Sequence, residues 1–167
     1  MSVARQTRSI SWSAPADVRV ATAAMDMLGY LTAVAQGELP NSPAIELLGM
    51  RLKSFGEGRA EVSFAPEEYH VNFVGAVHGG VISAVLDSCI GYAVNTTLGR
   101  DEAFVTSQLN VQFVRGIRIG TESLVARARL RHRGGRLAMA EASLEDASGT
   151  LYATATATCL ILAQRST

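Results

Sequence analysis

An almost uncharged run in the middle of the chain limits the folds that the protein can adopt. From residue 80 to residue 98 the only charged side chain is Asp87. A helix that is apolar on nearly all sides must be buried by other elements. The run follows the pair Gly79-Gly80 and ends before Gly99, a residue typical of helix ends. We therefore predict a helix over residues 78–97 that is wrapped by the rest of the protein.

Two features of that helix indicate chemistry. A carboxylate among apolar residues is costly to bury, so Asp87 is expected to have a function there. The first N–H groups of a helix have no partner within it, and they bind negatively charged or polarised oxygens. Together, Asp87 and the helix start at His78-Gly79-Gly80 predict a site where a carbonyl group is polarised and attacked.

The remaining patterns are typical of an α+β protein with an antiparallel sheet. Apolar residues at steps of three and four predict a helix over residues 15–36, and Pro43 predicts a short helix that ends at Gly49. Residues 50–55 and 59–64 flank a Gly-Glu-Gly turn, which indicates a hairpin. After the long helix, tight turns separate four further strands, and such runs favour an antiparallel sheet. These strands are predicted over residues 104–115, 122–132, 136–145 and 151–162.

The composition excludes several classes of protein. The 167 residues suffice for one domain with a sizeable core, and 15 basic residues balance 15 acidic ones. Neither a nucleic acid nor a membrane is therefore an expected partner. No uninterrupted apolar stretch reaches about 18 residues, and the N-terminus has no apolar core of a secretory signal. We expect a cytoplasmic protein.

Motifs for other chemistries are missing. His70, His78 and His132 do not show the spacing of metal ligands. The sequence has no G-x-S-x-G elbow, no P-loop and no strand-linked dinucleotide fingerprint. Two cysteines, Cys89 and Cys159, are too few for a disulfide framework and are expected in the core. No metal and no cofactor are expected.

The pattern N-x-x-G-x-x-H-G-G-x6-D is formed by Asn72, Gly75, His78-Gly79-Gly80 and Asp87. With the strand at residues 106–113, it resembles the hot-dog-fold thioesterases, specifically the phenylacetic-acid-degradation (PaaI-type) subgroup. The likeness covers roughly residues 45–163. It implies an α+β hot-dog fold, in which a curved antiparallel sheet wraps a long central helix, with extra N-terminal helices. We expect an N-terminal tail and helix over residues 1–40 and a thioesterase domain over residues 41–167.

The resemblance also implies an activity and roles for single residues. The activity is hydrolysis of acyl-CoA or aryl-CoA thioesters. Gly79 would supply the backbone N–H that polarises the thioester carbonyl, and Asp87 would be the nucleophile or the general base. Asn72 and His78 would surround the thioester, and Thr106 matches a position near the catalytic carboxylate. Gly80, which has no side chain, would let the substrate approach the backbone closely. Asparagine in such a position is more often a turn former than a catalytic group, and only the resemblance favours a catalytic role for Asn72.

The spacing within the motif predicts a site shared by two chains. Asp87 lies seven residues after Gly80, which is about 10 Å along a helix. One short carboxylate does not reach a carbonyl group held at Gly79 over that distance. Two antiparallel helices across a two-fold axis would bring Gly79 of one chain to Asp87 of the other. We therefore expect a homodimer, or a dimer of dimers as the resemblance implies, with two composite sites per dimer.

The phosphates of CoA call for basic side chains. Arg133 and Arg136 flank the predicted Gly134-Gly135 turn, and arginine suits phosphate geometry. These two are our expected CoA contacts, with Arg115 and Arg118 as a second option. The cluster could also be a solvated hairpin tip.

Two alternatives to hydrolysis remain. A non-catalytic acyl-CoA-binding module or ligand sensor would share the fold, but it has no need of a carboxylate beside the thioester. A hot-dog hydratase typically pairs its aspartate with a histidine a few residues further along the helix. No histidine follows Asp87 within the predicted helix, which disfavours that chemistry.

Overall fold

The computed structural model describes residues 3–163 of the chain. Within these residues, four α-helices, one short 3-10 turn and six strands alternate with loops. In chain order the elements are α1 (Pro15–Thr22), α2 (Met27–Gln36), α3 (Pro43–Leu47), β1 (Met50–Gly56), β2 (Arg59–Phe64), the 3-10 turn (Glu68–His70), α4 (Gly79–Asn95), β3 (Glu102–Phe113), β4 (Leu124–Arg133), β5 (Leu137–Glu145) and β6 (Leu151–Ala163).

All six strands form one antiparallel sheet that wraps α4. The strand order is β1-β2-β4-β5-β6-β3, so β1 and β3 are the two edges. Helix α4 contacts every strand of the sheet. Six strands at about 4.8 Å spacing are wider than a helix of about 10 Å diameter, so the sheet must curve around it. The fold agrees with the expected hot-dog architecture.

The long apolar helix lies where the sequence predicts it. Its C-terminal half is the most deeply enclosed part, with Cys89, Ile90, Ala93 and Val94 fully buried against the sheet. The opposite side, which includes Ala84, Asp87 and Ser88, is only half-buried. Helix α4 is therefore wrapped on one side and open on the other.

The prediction of a single helix over residues 15–36 is wrong in one respect, because this segment forms two helices, α1 and α2. The two helices are bent by 119° relative to each other. Asp26 causes the new start, since its side chain accepts a hydrogen bond from the Gly29 N–H at 2.7 Å and caps α2. The predicted end at Gly37 is confirmed, with a left-handed φ of 76°.

Helix α2 shares the core of the sheet. Leu31 and Val34 are buried in the same hydrophobic cluster as α4. Further along, the hydroxyl of Tyr92 on α4 donates a hydrogen bond to Asn41, next to the expected domain boundary. Within residues 3–163 no single helix is both long and apolar enough to cross a membrane. The bent pair α1–α2 reaches the necessary length and apolar composition only when its two helices are taken together.

Candidate active site

His78 caps α4 and leaves one backbone amide free. The Nδ1 atom of His78 accepts a hydrogen bond from the Gly80 N–H at 2.9 Å, and its carbonyl accepts from the Val81 N–H at 2.9 Å. No acceptor within residues 3–163 takes the N–H of Gly79. Since Nδ1 accepts, a neutral His78 carries its proton on Nε2. Of the two glycine amides in the motif, only that of Gly79 is available to a ligand.

The two glycines leave room for neighbouring side chains, and the backbone conformation does not require glycine at either position. Neither has a positive φ. A Cβ atom at Gly79 would lie 3.2 Å from Cζ of Phe113, so the ring occupies the place of a side chain. A Cβ atom at Gly80 would lie 3.1 Å from Nδ1 of His78 and would crowd the cap. Each glycine therefore makes room for a neighbour that borders the helix start.

Asp87 is half-buried on α4 and is held by β3. The Oγ1 atom of Thr106 donates a hydrogen bond to Oδ1 of Asp87 at 3.0 Å. No other hydrogen bond to this carboxylate is found in the described part of the chain. One oxygen is thus fixed by Thr106, and Oδ2 is left to accept from water or a substrate. The structure brings together the two side chains that the resemblance placed side by side.

A β-bulge next to Thr106 disrupts the regular alternation of β3. Pairing with β6 shifts between Thr106 and Gln108, so Ser107 is an extra residue. Its Oγ donates a hydrogen bond to the Thr158 carbonyl at 3.0 Å. Bulges bend the strand in which they occur. As a result, Thr106 faces α4 although Gln108, two residues on, is exposed.

One chain does not place Asp87 beside the free amide. Gly79 and Asp87 are eight residues apart on a continuous helix, which is about 12 Å at 1.5 Å per residue. A carbonyl oxygen at hydrogen-bonding distance from the Gly79 N–H would therefore lie beyond the reach of Asp87 in the same chain.

Asn72 shapes the loop before the helix. Its Oδ1 accepts hydrogen bonds from the Val74 N–H at 3.0 Å and the Ala76 N–H at 3.3 Å. Gly75 closes this turn with a left-handed φ of 78°. The side chain oxygen is thus used by the backbone, as in a turn former.

His70 was not predicted as part of this region, yet it anchors the helix start. The side chain is 2% exposed, and its Nδ1 accepts from the Glu67 N–H at 3.0 Å. The His70 carbonyl accepts the N–H of His78 at 2.8 Å. Burial, together with the charge of Arg8, lowers the pKa of His70. The spacing Glu67-x-x-His70 resembles a capping box and is the sequence signal that indicates this turn.

The four candidate arginines lie at two ends of α4. Arg133 forms an ion pair with Glu102 at 2.5 Å and bonds the Gly134 carbonyl, near the C-terminal end of the helix. Arg136 is exposed on the same hairpin. Arg115 and Arg118 are exposed and form no ion pair within residues 3–163. Arg118 and Ala76 form an isolated antiparallel β-bridge through their backbones. Arg118 therefore lies at the end of α4 that carries Gly79.

The cysteines are buried and protonated. Burial raises the pKa of the Cys89 thiol to about 12 and also raises that of Cys159. A thiolate is the nucleophilic form of cysteine, so neither residue is suited to attack a carbonyl. This leaves Asp87 as the half-buried acid on α4.

One antiparallel sheet that wraps a single long helix defines a hot-dog protein. Comparison with known proteins agrees. The family model of the Thioesterase superfamily matches residues 74–153. PA0474 of Pseudomonas aeruginosa, a candidate esterase, is 30% identical over 107 residues, which are 64% of this chain and 79% of that protein. The chain belongs to the thioesterase superfamily.

Solved structures extend the likeness. A phenylacetic acid degradation-related protein of Ralstonia eutropha JMP134 is 32% identical and has a TM-score of 0.71, over 78% of this chain and 98% of that one. The PaaI protein of Escherichia coli has the same TM-score at 24% identity, over 83% and 96% of the two chains, which shows a shared fold. The expected resemblance to PaaI-type proteins is confirmed.

Proposed function

We propose that the protein hydrolyses acyl-CoA thioesters to a free acid and CoA. The observation that carries this proposal is that α4 bears both a free helix-start amide at Gly79 and the Asp87 carboxylate, which Thr106 fixes. Thioester hydrolysis develops negative charge on the carbonyl oxygen, and one preorganised N–H donor typically stabilises it by about 3–4 kcal/mol. A carboxylate with one free oxygen supplies the second requirement, a base or nucleophile.

The proposed reaction follows one of two routes. As general base, Asp87 takes a proton from water while the water oxygen attacks the carbonyl carbon. The tetrahedral oxyanion accepts the Gly79 N–H, the C–S bond breaks, and the CoA thiolate leaves and takes up a proton. As nucleophile, Asp87 attacks first and displaces the thiolate, and water then cleaves the resulting anhydride. Both routes give the same products.

We further propose that two chains form each site. The separation of about 12 Å between Gly79 and Asp87 along α4 supports this, because antiparallel packing of two such helices would align the pair from different chains. The half-buried side of α4, opposite the sheet, is the surface that remains for a second helix. The expected assembly is a homodimer or a dimer of dimers.

Mixed dimers test this proposal directly. Gly79→Pro removes the N–H at the first helical position, which tolerates proline, and His78 already has the extended ψ of 135° that precedes proline. Gly79→Pro and Asp87→Asn subunits, each inactive alone, are refolded together. A shared site should restore about a quarter of wild-type activity, since half the dimers then contain one intact site. Mixtures without activity would contradict it.

For CoA binding we propose basic contacts at the β4–β5 hairpin and in the connection between β3 and β4. Arg115 and Arg118 form no ion pair within the described part of the chain and lie at the Gly79 end of α4, while Arg136 is more accessible than Arg133. The ion pair with Glu102 engages Arg133. Arg133 is therefore a weaker candidate for a CoA contact than Arg115 and Arg118. We also propose that Gly80, which has no side chain, lets the substrate approach the backbone closely.

The central experiment is a thiol-release assay on acyl-CoA and aryl-CoA thioesters with wild type and Asp87→Asn. We expect release by the wild type and a strong loss in the variant. Binding of CoA esters without release by the wild type would instead favour the ligand-binding module. Full activity of Asp87→Asn would remove this residue from the mechanism.

A further inference from the structure

Strand β3 packs two phenylalanines against two glycines of α4. A Cβ atom at Gly91 would lie 3.1 Å from Cζ of Phe104, and one at Gly79 would lie 3.2 Å from Cζ of Phe113. The contacts are alike in geometry, because each ring occupies the space of a missing side chain. They differ in their surroundings, which allows one contact to serve as a control for the other.

The Phe104 contact is an ordinary core contact. Gly91 is buried and Phe104 is half-buried against the hydrophobic cluster. Phe113, by contrast, is 54% exposed although the tip of its ring lies against Gly79. A half-exposed aromatic ring beside a free backbone amide presents an apolar surface to a ligand that binds the amide.

We propose that Phe113 is a specificity-determining residue that forms the apolar wall of the acyl subsite. This inference rests on the proposed thioesterase function. A carbonyl that accepts the Gly79 N–H has its acyl substituent one bond away, so the substituent lies within reach of the adjacent ring. The ring removes water from that side of the amide, and it favours apolar acyl groups over the polar pantetheine arm. Acyl groups long enough to cover the ring should therefore be preferred to acetyl.

The test compares kcat/KM for hexanoyl-CoA and acetyl-CoA in Phe113→Ala and Phe104→Ala. A hydrophobic pocket typically discriminates by about 10–200-fold in kcat/KM between substrates that differ by one methylene group. We expect Phe113→Ala to lower kcat/KM for hexanoyl-CoA by about 10-fold or more, and for acetyl-CoA by less than about 3-fold. Phe104→Ala removes the same ring from the same strand and should change both substrates equally. Phe113→Leu, which keeps the fold if alanine does not, should give a smaller loss of the same selectivity.

Several outcomes would overturn the inference. Equal losses on both substrates in Phe113→Ala would place the ring against pantetheine, and equal selectivity changes in Phe104→Ala would make the effect a general one of packing. Calorimetric binding of hexanoyl-CoA and acetyl-CoA thioether analogues separates the two levels of proposal. A wild type that binds the analogues but does not hydrolyse the thioesters refutes the thioesterase proposal. In that case, a preference for the hexanoyl analogue that is lost in Phe113→Ala still supports Phe113 as the apolar wall of the acyl subsite. A wild type that neither hydrolyses the thioesters nor binds the analogues refutes both.

Discussion

Thr106 on β3 donates its hydroxyl hydrogen to Asp87 on α4 at 3.0 Å, and this bond joins the edge strand to the open side of the central helix. The donor fixes one carboxylate oxygen and leaves the other free. Hydrogen bonds to charged groups contribute about 1.5–3 kcal/mol, so the orientation of Asp87 depends measurably on this contact.

Thr106→Val should therefore lower kcat by about 10-fold or more while the protein stays folded. The substitution keeps the shape and removes the donor. Thr106→Ser keeps the donor and is the matched control, with near-normal kcat expected. Steady-state kinetics and thermal unfolding of both variants check this. If valine and serine behaved alike, the hydroxyl would have no part in positioning Asp87.

Asp87→Asn should abolish most of the activity without unfolding the chain. Asparagine is nearly isosteric and can still accept the hydroxyl of Thr106, but it neither takes a proton nor acts as a nucleophile. Loss of a general base typically lowers kcat by about 10²–10⁴-fold. Circular dichroism should show an unchanged melting curve, and a collapsed fold would mean that the carboxylate is needed for structure.

The role of the Gly79 amide is tested by two substitutions at one position. Gly79→Ala and Gly79→Pro both add a Cβ atom 3.2 Å from the ring of Phe113, but only proline removes the N–H. Removal of one oxyanion donor typically lowers kcat by about 10²–10³-fold. We expect that loss beyond the effect of alanine. Equal kcat values in the two variants would show that crowding by Cβ, and not the N–H, matters.

The sequence alone predicts the central helix and the antiparallel strands, and the resemblance predicts the contact between Thr106 and Asp87. The uncharged run and the flanking glycines predicted α4 nearly to its ends, and the hairpin and turn signals predicted the antiparallel strands. These features are local: each depends on residue types within a few positions of one another. The resemblance, in turn, predicts that Thr106 lies near Asp87, and a hydrogen bond joins the two side chains.

What the sequence did not show depends on longer-range or context-dependent contacts. Alternation continued backwards from Gln108 would place Thr106 on the outer side of β3, and only the bulge at Ser107 reverses this. The break between α1 and α2 arises because Asp26 caps a new helix within an otherwise continuous apolar pattern. The anchoring role of His70 depends on the burial of its ring, which packs against Phe64 and Tyr69, and the Glu67-x-x-His70 spacing does not indicate this burial.

The buried state of His70 predicts how stability depends on pH. Burial and the nearby charge of Arg8 lower its pKa below 6.5 in the folded chain, while the unfolded chain keeps the ordinary value. Between the lowered pKa of the folded state and about pH 6.5, the unfolded state therefore binds more protons than the folded state, and the free energy of unfolding falls as pH decreases through this range. Above about pH 6.5 His70 is neutral in both states and does not change the free energy of unfolding with pH.

Denaturant unfolding between pH 7.5 and 5 measures this effect. His70→Asn, which can still accept the Glu67 N–H, should be less stable at pH 7.5 but should lose the slope that this histidine adds. His132 is exposed, so His132→Gln is the control and should leave the slope unchanged. An unchanged slope in His70→Asn would mean that other groups cause the acid sensitivity.

Arg115 and Arg118 should contribute to binding of the phosphate-bearing part of CoA. Their double substitution to glutamine is expected to raise KM for acyl-CoA by about 10-fold or more, since each removes a charge-assisted contact, and to leave kcat nearly unchanged. Acyl-pantetheine, which has no nucleotide phosphates, is the matched substrate and should be hydrolysed equally by the wild type and the variant. Arg133→Gln should instead lower the melting temperature, because it leaves Glu102 without its ion-pair partner. An equal rise in KM for both substrates would assign Arg115 and Arg118 to the fold of the site and not to phosphate binding.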